Sequence, residues 1–250
     1  FYYRPHLFPG MDETLRKAHQ LQFHLLPRQL PESAPVSVAA VLESYCHLSG
    51  DLFGWEELRD GGFLMWILDV AGHGVRAGIC SALVKILVDH AQRRRDLVGL
   101  LTTLNETMNA CVRREHDNLF TTGFFWTIDR EGRTAFASGG HPPALIRRRS
   151  GEVEAVSSGG PPIGIIPGLE FSSGEIDLWS GDALLLYTDG VIEATGPDGG
   201  PFGIDRLREV FSAPFDRPED MTGRLYRAVG QSQDLAELHD DITFFVAALP

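Results

Sequence analysis

The chain has 250 residues, is 43% hydrophobic and carries a net charge of -12 with a pI of about 5.1. That is enough apolar material for one sizeable core of the sandwich type, although length alone leaves two smaller domains open. The acidic balance argues against nucleic acid or an anionic membrane as the main partner, because both repel carboxylates. No apolar run approaches the roughly 18 residues that span a bilayer, and no basic-then-apolar secretory signal opens the chain. It begins FYYRPHLFPG without an initiator Met and reads as a fragment of a larger protein.

Residues 11–30 are predicted as a helix, with Leu15, Ala18, Leu21, Leu25 and Leu26 at helical spacing and Pro27 ending or kinking it. It reads either as a connector from an upstream domain or as a helix packed on its own core. Val36–Leu42 and Gly62–Val70 follow as strands. The second is apolar on both strand faces, which requires cover on both sides. Beyond an AGHG turn, residues 75–92 read as a largely buried helix and residues 97–115 as an amphipathic one. LFTTGFFWTID, GRTAFASGG, PALIRRR and EVEAV read as strands, with hairpin turns at DREG and RRSG. GDALLLYTDG is a second strand apolar on both faces. Short helices are expected at Asp205–Phe211 and Met221–Gln231, and a last strand at DDITFFVAAL. Helices do not alternate strictly with strands, so an α+β arrangement is expected, with two facing sheets and helices on their outer faces.

Cys46, Cys80 and Cys111 suit neither a zinc knuckle nor a CxxC pair and read as inert thiols in a reducing cytoplasm. The informative feature is a set of aspartates at strand ends: Asp51 in SGDLFGW, Asp69 in LDVAGHG, Asp189 in YTDGVIEA and Asp240 in HDDITFF. Hard divalent cations take oxygen ligands, and a pair of them needs several carboxylates converging on one cavity. Each motif has a plainer reading alone: a helix-capping Asp at LDVAGHG, a common turn at TDG, an exposed acidic turn at DD. The adjacent Asp240 and Asp241 repel unless a cation or hydrogen-bond donors compensate.

Taken together and in order, QLQFHLLPRQLP, SGDLFGW, LDVAGHGVRAG, LNETMN, FTTGFFWTID, ASGGHPPALI, PPIGI, SGDALLLYTDGVIEA, FGIDRL and HDDITFFV resemble the RsbU/SpoIIE-type branch of the PPM metal-dependent serine/threonine phosphatases. The resemblance implies a four-layer α-β-β-α sandwich with mostly antiparallel sheets. It divides the chain into an N-terminal linker or regulatory helix (1–31) and a phosphatase domain (32–250). It implies two Mn2+ or Mg2+ ions held by Asp69, the backbone carbonyl of Val70, Asp189 and Asp240. Asp51 would act at the metal site through a bound water, and Asp241 would support the ligands from behind. His73 is either a proton donor to the leaving oxygen or a turn histidine satisfied by backbone, and His141 in SGGHPP reads as shaping a turn.

The implied substrate is a phosphorylated protein, a STAS-type anti-anti-sigma factor in a partner-switching pathway that releases a sigma factor. An upstream sensor or receiver domain, a cytoplasmic location and a homodimer contact through the N-terminal helix belong to the same expectation. The chain departs from the family's GGDxxD pattern at Ser49 and Gly54. The lost carboxylate at 54 feeds an alternative reading, a degenerate phosphatase that binds a phosphoprotein without hydrolysing it. A third reading, a metal-dependent nuclease, is weakened because the basic clusters Arg93–Arg95 and Arg147–Arg149 are expected on a solvated helix end and a hairpin rather than in a groove.

Overall fold

The computed structural model describes residues 2–3, 13–91, 96–112, 119–195, 199–230 and 239–250. One sheet runs, in spatial order, β1 (Tyr2–Tyr3), β2 (Ser37–Glu43), β11 (Ile242–Ala248), β10 (Ala183–Tyr187), β7 (Ala144–Arg147) and β8 (Val153–Val156). The other runs β3 (Leu52–Glu57), β4 (Phe63–Val70), β5 (Thr121–Ile128), β6 (Thr134–Gly139) and β9 (Ser173–Glu175). The pairings between these strands are antiparallel except β1 with β2.

Strand side chains alternate between faces, and β4 shows what that dictates here. Phe63, Met65 and Ile67 enter the layer between the sheets, while Leu64, Trp66, Leu68 and Val70 face outward under helices. β10 does the same in the other sheet: Leu184 and Leu186 point inward, and Ala183, Leu185 and Tyr187 point outward. Phe124, Trp126 and Phe136 stack in the inner layer, each large apolar side chain contributing about 1.5–3 kcal/mol by burial. Helices α2 (Val75–Ala91) and α3 (Leu97–Val112) cover the β3–β6 side, and α5 (Gly203–Ser212) and α6 (Pro218–Gly230) cover the other. The four expected layers are present.

Several expectations are refined. Helix α1 spans Glu13–Phe23 rather than 11–30; residues 11 and 12 lie outside the described residues. In a continued helix the ring of Pro27 would collide with the carbonyl four residues back, at Phe23, and Pro27 has no N–H to donate. Leu25 and Leu26 therefore close with tighter bonds to Gln22 and Phe23. Helix α2 is not largely buried: Ala77, Cys80, Val84 and Val88 pack inward, but Val75, Ile79, Leu83 and Ile86 are exposed. The SGDLFGW motif continues as a strand, β3, which the glycine in its apolar run conceals, and YTDG leads into a short helix, α4 (Asp189–Glu193), rather than a turn. Arg147 and Arg148 are built into the fold and not solvated: Arg147 donates to the Ser212 carbonyl and lies over Phe215, and Arg148 pairs with buried Asp182. Arg93–Arg95 and Gln231 lie outside the described residues.

Candidate metal centre

The alternation that builds the core also aims the carboxylates. Asp69 follows Ile67 by two on β4 and so faces the layer between the sheets. Asp51 stands two before Phe53, which faces the same layer. Asp189 opens α4 just past β10, and Asp240 and Asp241 immediately precede β11. Antiparallel register brings these ends together: Leu52 pairs with Leu68, Tyr187 with Phe244, and Ile242 with Glu43.

The charges report the convergence. Asp69 is pushed up to about 8, first by burial and then by the charges of Asp189, Asp240 and Asp241. Burial and the charges of Asp69 and Asp241 push Asp51 well above the carboxylate range. Asp240 rises to about 6, mainly by burial, with Asp241, Asp189 and Glu193 adding to it. Residues up to 190 positions apart thus share one field. Among the described residues, however, no three His, Cys, Asp or Glu side chains are gathered closely enough to hold a metal ion as they stand. The donor chemistry nevertheless fits a hard divalent cation: mutually repelling carboxyl oxygens, two of them buried on Asp51 and Asp241, are the groups that a cation's charge would relieve.

Asp241 has a distinct position. Its Oδ1 accepts from the Tyr45 N–H at 2.7 Å, and its Oδ2 accepts from Ser49 Oγ at 2.7 Å and the Gly50 N–H at 2.7 Å. A carboxylate so engaged ties the 45–51 loop to β11. Ser49, which departs from the family glycine, supplies one of those bonds. Asp51 Oδ2 accepts from the Thr188 hydroxyl at 2.8 Å, so Thr188 spends its side chain on the site instead of capping α4. Two glycines permit these approaches. A Cβ on Gly50 would lie 2.8 Å from the Val70 carbonyl oxygen, and one on Gly190 would lie 2.0 Å from the Asp241 carbonyl oxygen.

The family model described as Stage II sporulation protein E (SpoIIE) matches residues 59–250. The chain belongs to the SpoIIE family. It is 27% identical over 256 residues to Protein IcfG of Synechocystis sp., covering 92% of this chain and 40% of that protein. It is 27% identical over 218 residues to the phosphoserine phosphatase RsbP of Bacillus subtilis, covering 84% of this chain and 52% of that protein. The chain therefore spans about half or less of these two relatives. Among solved structures it is similar to the SiaA-PP2C domain of Pseudomonas aeruginosa, with a TM-score of 0.82 at 21% identity, covering 95% of this chain and 96% of that one. The fold is that of the SiaA-PP2C domain. Asp51 lies just upstream of the span matched by the SpoIIE model.

Gly54, one of the departures from GGDxxD, and His73 take on meaning from their neighbours. Gly54 pairs with Trp66 across β3 and β4, and a Cβ there would fall 2.3 Å from the Trp66 ring. The position faces outward under α2 and α3, filled by indole, and not toward the carboxylates. Gly54→Asp is therefore expected to destabilise the protein by about 2–4 kcal/mol without tightening Mn2+ binding. Thermal unfolding and Mn2+ titration check this, and a stabilised, tighter-binding variant would contradict it. His73 is exposed; its ring packs edge-on against Tyr45 with centroids 5.1 Å apart, and its Nδ1 is 3.5 Å from Cys46 Sγ. Tyr45 links it to Asp241, so His73 sits at the rim of the acidic cluster.

Sequence reasoning passed over Thr188, Tyr45 and Gln22, and read His141 only as shaping a turn. Thr188, Gln22 and His141 each lay in a motif, but nothing in those motifs marked the contact each makes. All four reach the site through contacts between distant segments.

Proposed function

We propose that this chain is a metal-dependent phosphatase that hydrolyses phosphoserine or phosphothreonine on a protein. The convergence of carboxylates from four distant segments into one field carries the reading. Asp69, the Val70 carbonyl, Asp189 and Asp240 would hold two Mn2+ or Mg2+ ions, which would lower the pKa of a bound water and neutralise phosphoryl oxygens. Asp51, fixed by Thr188, orients solvent at that centre. Asp241 holds the loop that carries Asp51. His73, at the rim and held against Tyr45, offers a proton to the departing serine or threonine oxygen. The test is Mn2+-dependent hydrolysis of p-nitrophenyl phosphate and a phosphopeptide, repeated with Asp189→Asn. Activity confined to the parent chain supports the enzyme, and inactivity of both supports a binding module. That second reading drew on the missing carboxylate at Gly54, and the Trp66 packing takes away its motive.

The proposed substrate is a STAS-type phosphoprotein in a cytoplasmic partner-switching pathway, and residues 1–31 are proposed as a regulatory segment joined to an upstream sensor or receiver domain. The contact supporting this is Gln22 on α1. Its amide donates to the Ser49 carbonyl at 2.7 Å and accepts from the Ser49 N–H at 2.9 Å, next to the Ser49–Asp241 bond. Gln22→Ala leaves the buried Ser49 N–H unpaired, while Ser81 Oγ still donates to the Ser49 carbonyl at 3.0 Å, and should cost about 1–3 kcal/mol. On this proposal it also raises the Mn2+ concentration for half-maximal activity; a loss of stability alone would make α1 a packed helix and nothing more. Exposed Leu21 on α1, with the exposed apolar face of α2, supports the proposed homodimer.

A further inference from the structure

His141 sits in the SGGHPP turn, is 6% exposed, and belongs to neither sheet's ladder of main-chain bonds at its imidazole. Its Nε2 lies 3.0 Å from the Tyr187 carbonyl oxygen and its Nδ1 lies 2.7 Å from Thr122 Oγ1. These contacts fix the tautomer. A carbonyl only accepts, so Nε2 carries the hydrogen and donates to Tyr187. Nδ1 then presents its lone pair, and the Thr122 hydroxyl donates to it. Burial pushes the imidazole down to about 3, so the ring is neutral with one donor and one acceptor, as both contacts require.

The two partners stand at telling places. Thr122 on β5 is the register partner of Asp69 on β4. Tyr187 ends β10, one residue before Thr188, which donates to Asp51, and two before Asp189. The ring thus runs from the strand beside Asp69, in one sheet, to the strand that delivers Asp189, in the other. Its own main chain is tied down as well: the His141 N–H donates to Ser138 Oγ at 3.3 Å. At Gly140, with φ of 68°, a Cβ would fall 2.7 Å from the Pro162 nitrogen, so the turn is held against a second loop.

We propose that His141 is a positioning residue: a neutral imidazole strut between the sheets that sets the separation of the Asp69 and Asp189 carboxylates. Interactions that orient ligands without touching the metal typically change affinity or activity 10–100-fold when removed. The proposal rests on the metal-dependent reading of the site.

The test compares His141→Ala, His141→Gln and Thr122→Val with the parent chain. Calorimetric Mn2+ binding and kinetics on p-nitrophenyl phosphate are the readouts, with near-UV circular dichroism to establish folding. His141→Ala should weaken Mn2+ half-saturation by about tenfold or more and lower kcat, with KM little changed. Glutamine offers one donor and one acceptor and should restore part of the loss. Thr122→Val removes one end of the strut and should shift Mn2+ half-saturation in the same direction; it decides the matter if His141→Ala does not fold. Folded variants with parental Mn2+ binding and kcat would overturn the strut while leaving the phosphatase reading intact. A parent chain that neither binds Mn2+ nor hydrolyses the ester would overturn both.

Discussion

Asp69→Asn should abolish Mn2+-dependent hydrolysis and, in the same protein without metal, raise the unfolding temperature. Both effects follow from one fact: Asp69 is half-buried at the point where the charges of Asp189, Asp240 and Asp241 act together. With metal, the variant lacks an anionic oxygen at the centre of the site, and a loss of at least about a hundredfold in kcat/KM is expected. Without metal, it lacks a carboxyl that burial and the charges of Asp189, Asp240 and Asp241 disfavour as an anion. Amide for carboxylate keeps the shape and removes the charge, so a gain on the order of 1 kcal/mol is expected. Opposite signs for activity and stability mark a functional carboxylate, whereas a structural one would lose both. Kinetics with Mn2+ and thermal unfolding with chelator measure the pair, and a fall in both would contradict the assignment.

Mn2+ is likewise expected to stabilise the protein more at pH 8 than at pH 6.5. Asp69 has a folded pKa of about 8 and Asp240 of about 6, against an ordinary value of 3.8. A carboxyl raised in this way contributes stability below its ordinary pKa and loses it as the pH climbs through the folded value. The metal-free protein should therefore weaken across this range. His141 acts with the opposite sign, since its pKa is lowered from 6.5 to about 3. Its contribution is complete above pH 6.5 and fades only as the pH falls below it, so it drops out of the chosen window. Glu56, raised to about 8 by burial and its hydrogen bond with Asp89, weakens the protein in the same direction as Asp69 but away from the metal centre. The diagnostic quantity is accordingly the part of the loss that Mn2+ reverses. It should reach the order of a few kcal/mol at pH 8 and be read from unfolding temperatures with Mn2+ or chelator. Equal stabilisation by Mn2+ at the two pH values would contradict the account.

Much of the fold was legible because two strands, Phe63–Val70 and Ala183–Tyr187, are apolar on both faces and require cover on both, and helices that do not alternate with strands point to two facing sheets under helices. The strand-end aspartates were legible for a related reason: a charged residue closing an apolar strand has few places to go. What the sequence concealed depends on partners far along the chain. Gly54 reads as a lost carboxylate until its register partner proves to be Trp66. Asp241 reads as one of a repelling pair until its four backbone and hydroxyl donors from the 45–51 loop are counted. Gln22 and His141 follow no periodicity, because each reaches the backbone of a segment at least 27 residues away. The exposed stripe on α2 was hidden for the opposite reason: a helix apolar all round gives no periodic sign of which face it buries.

The central claim is that side chains from opposite sheets hold paired cations. Anomalous diffraction from a crystal grown with Mn2+ tests it most directly. The account predicts two manganese peaks enclosed by Asp69, Asp189 and Asp240, with the Val70 carbonyl among the ligands. Manganese bound elsewhere on the chain, or no peak at that cluster under saturating Mn2+, would contradict it.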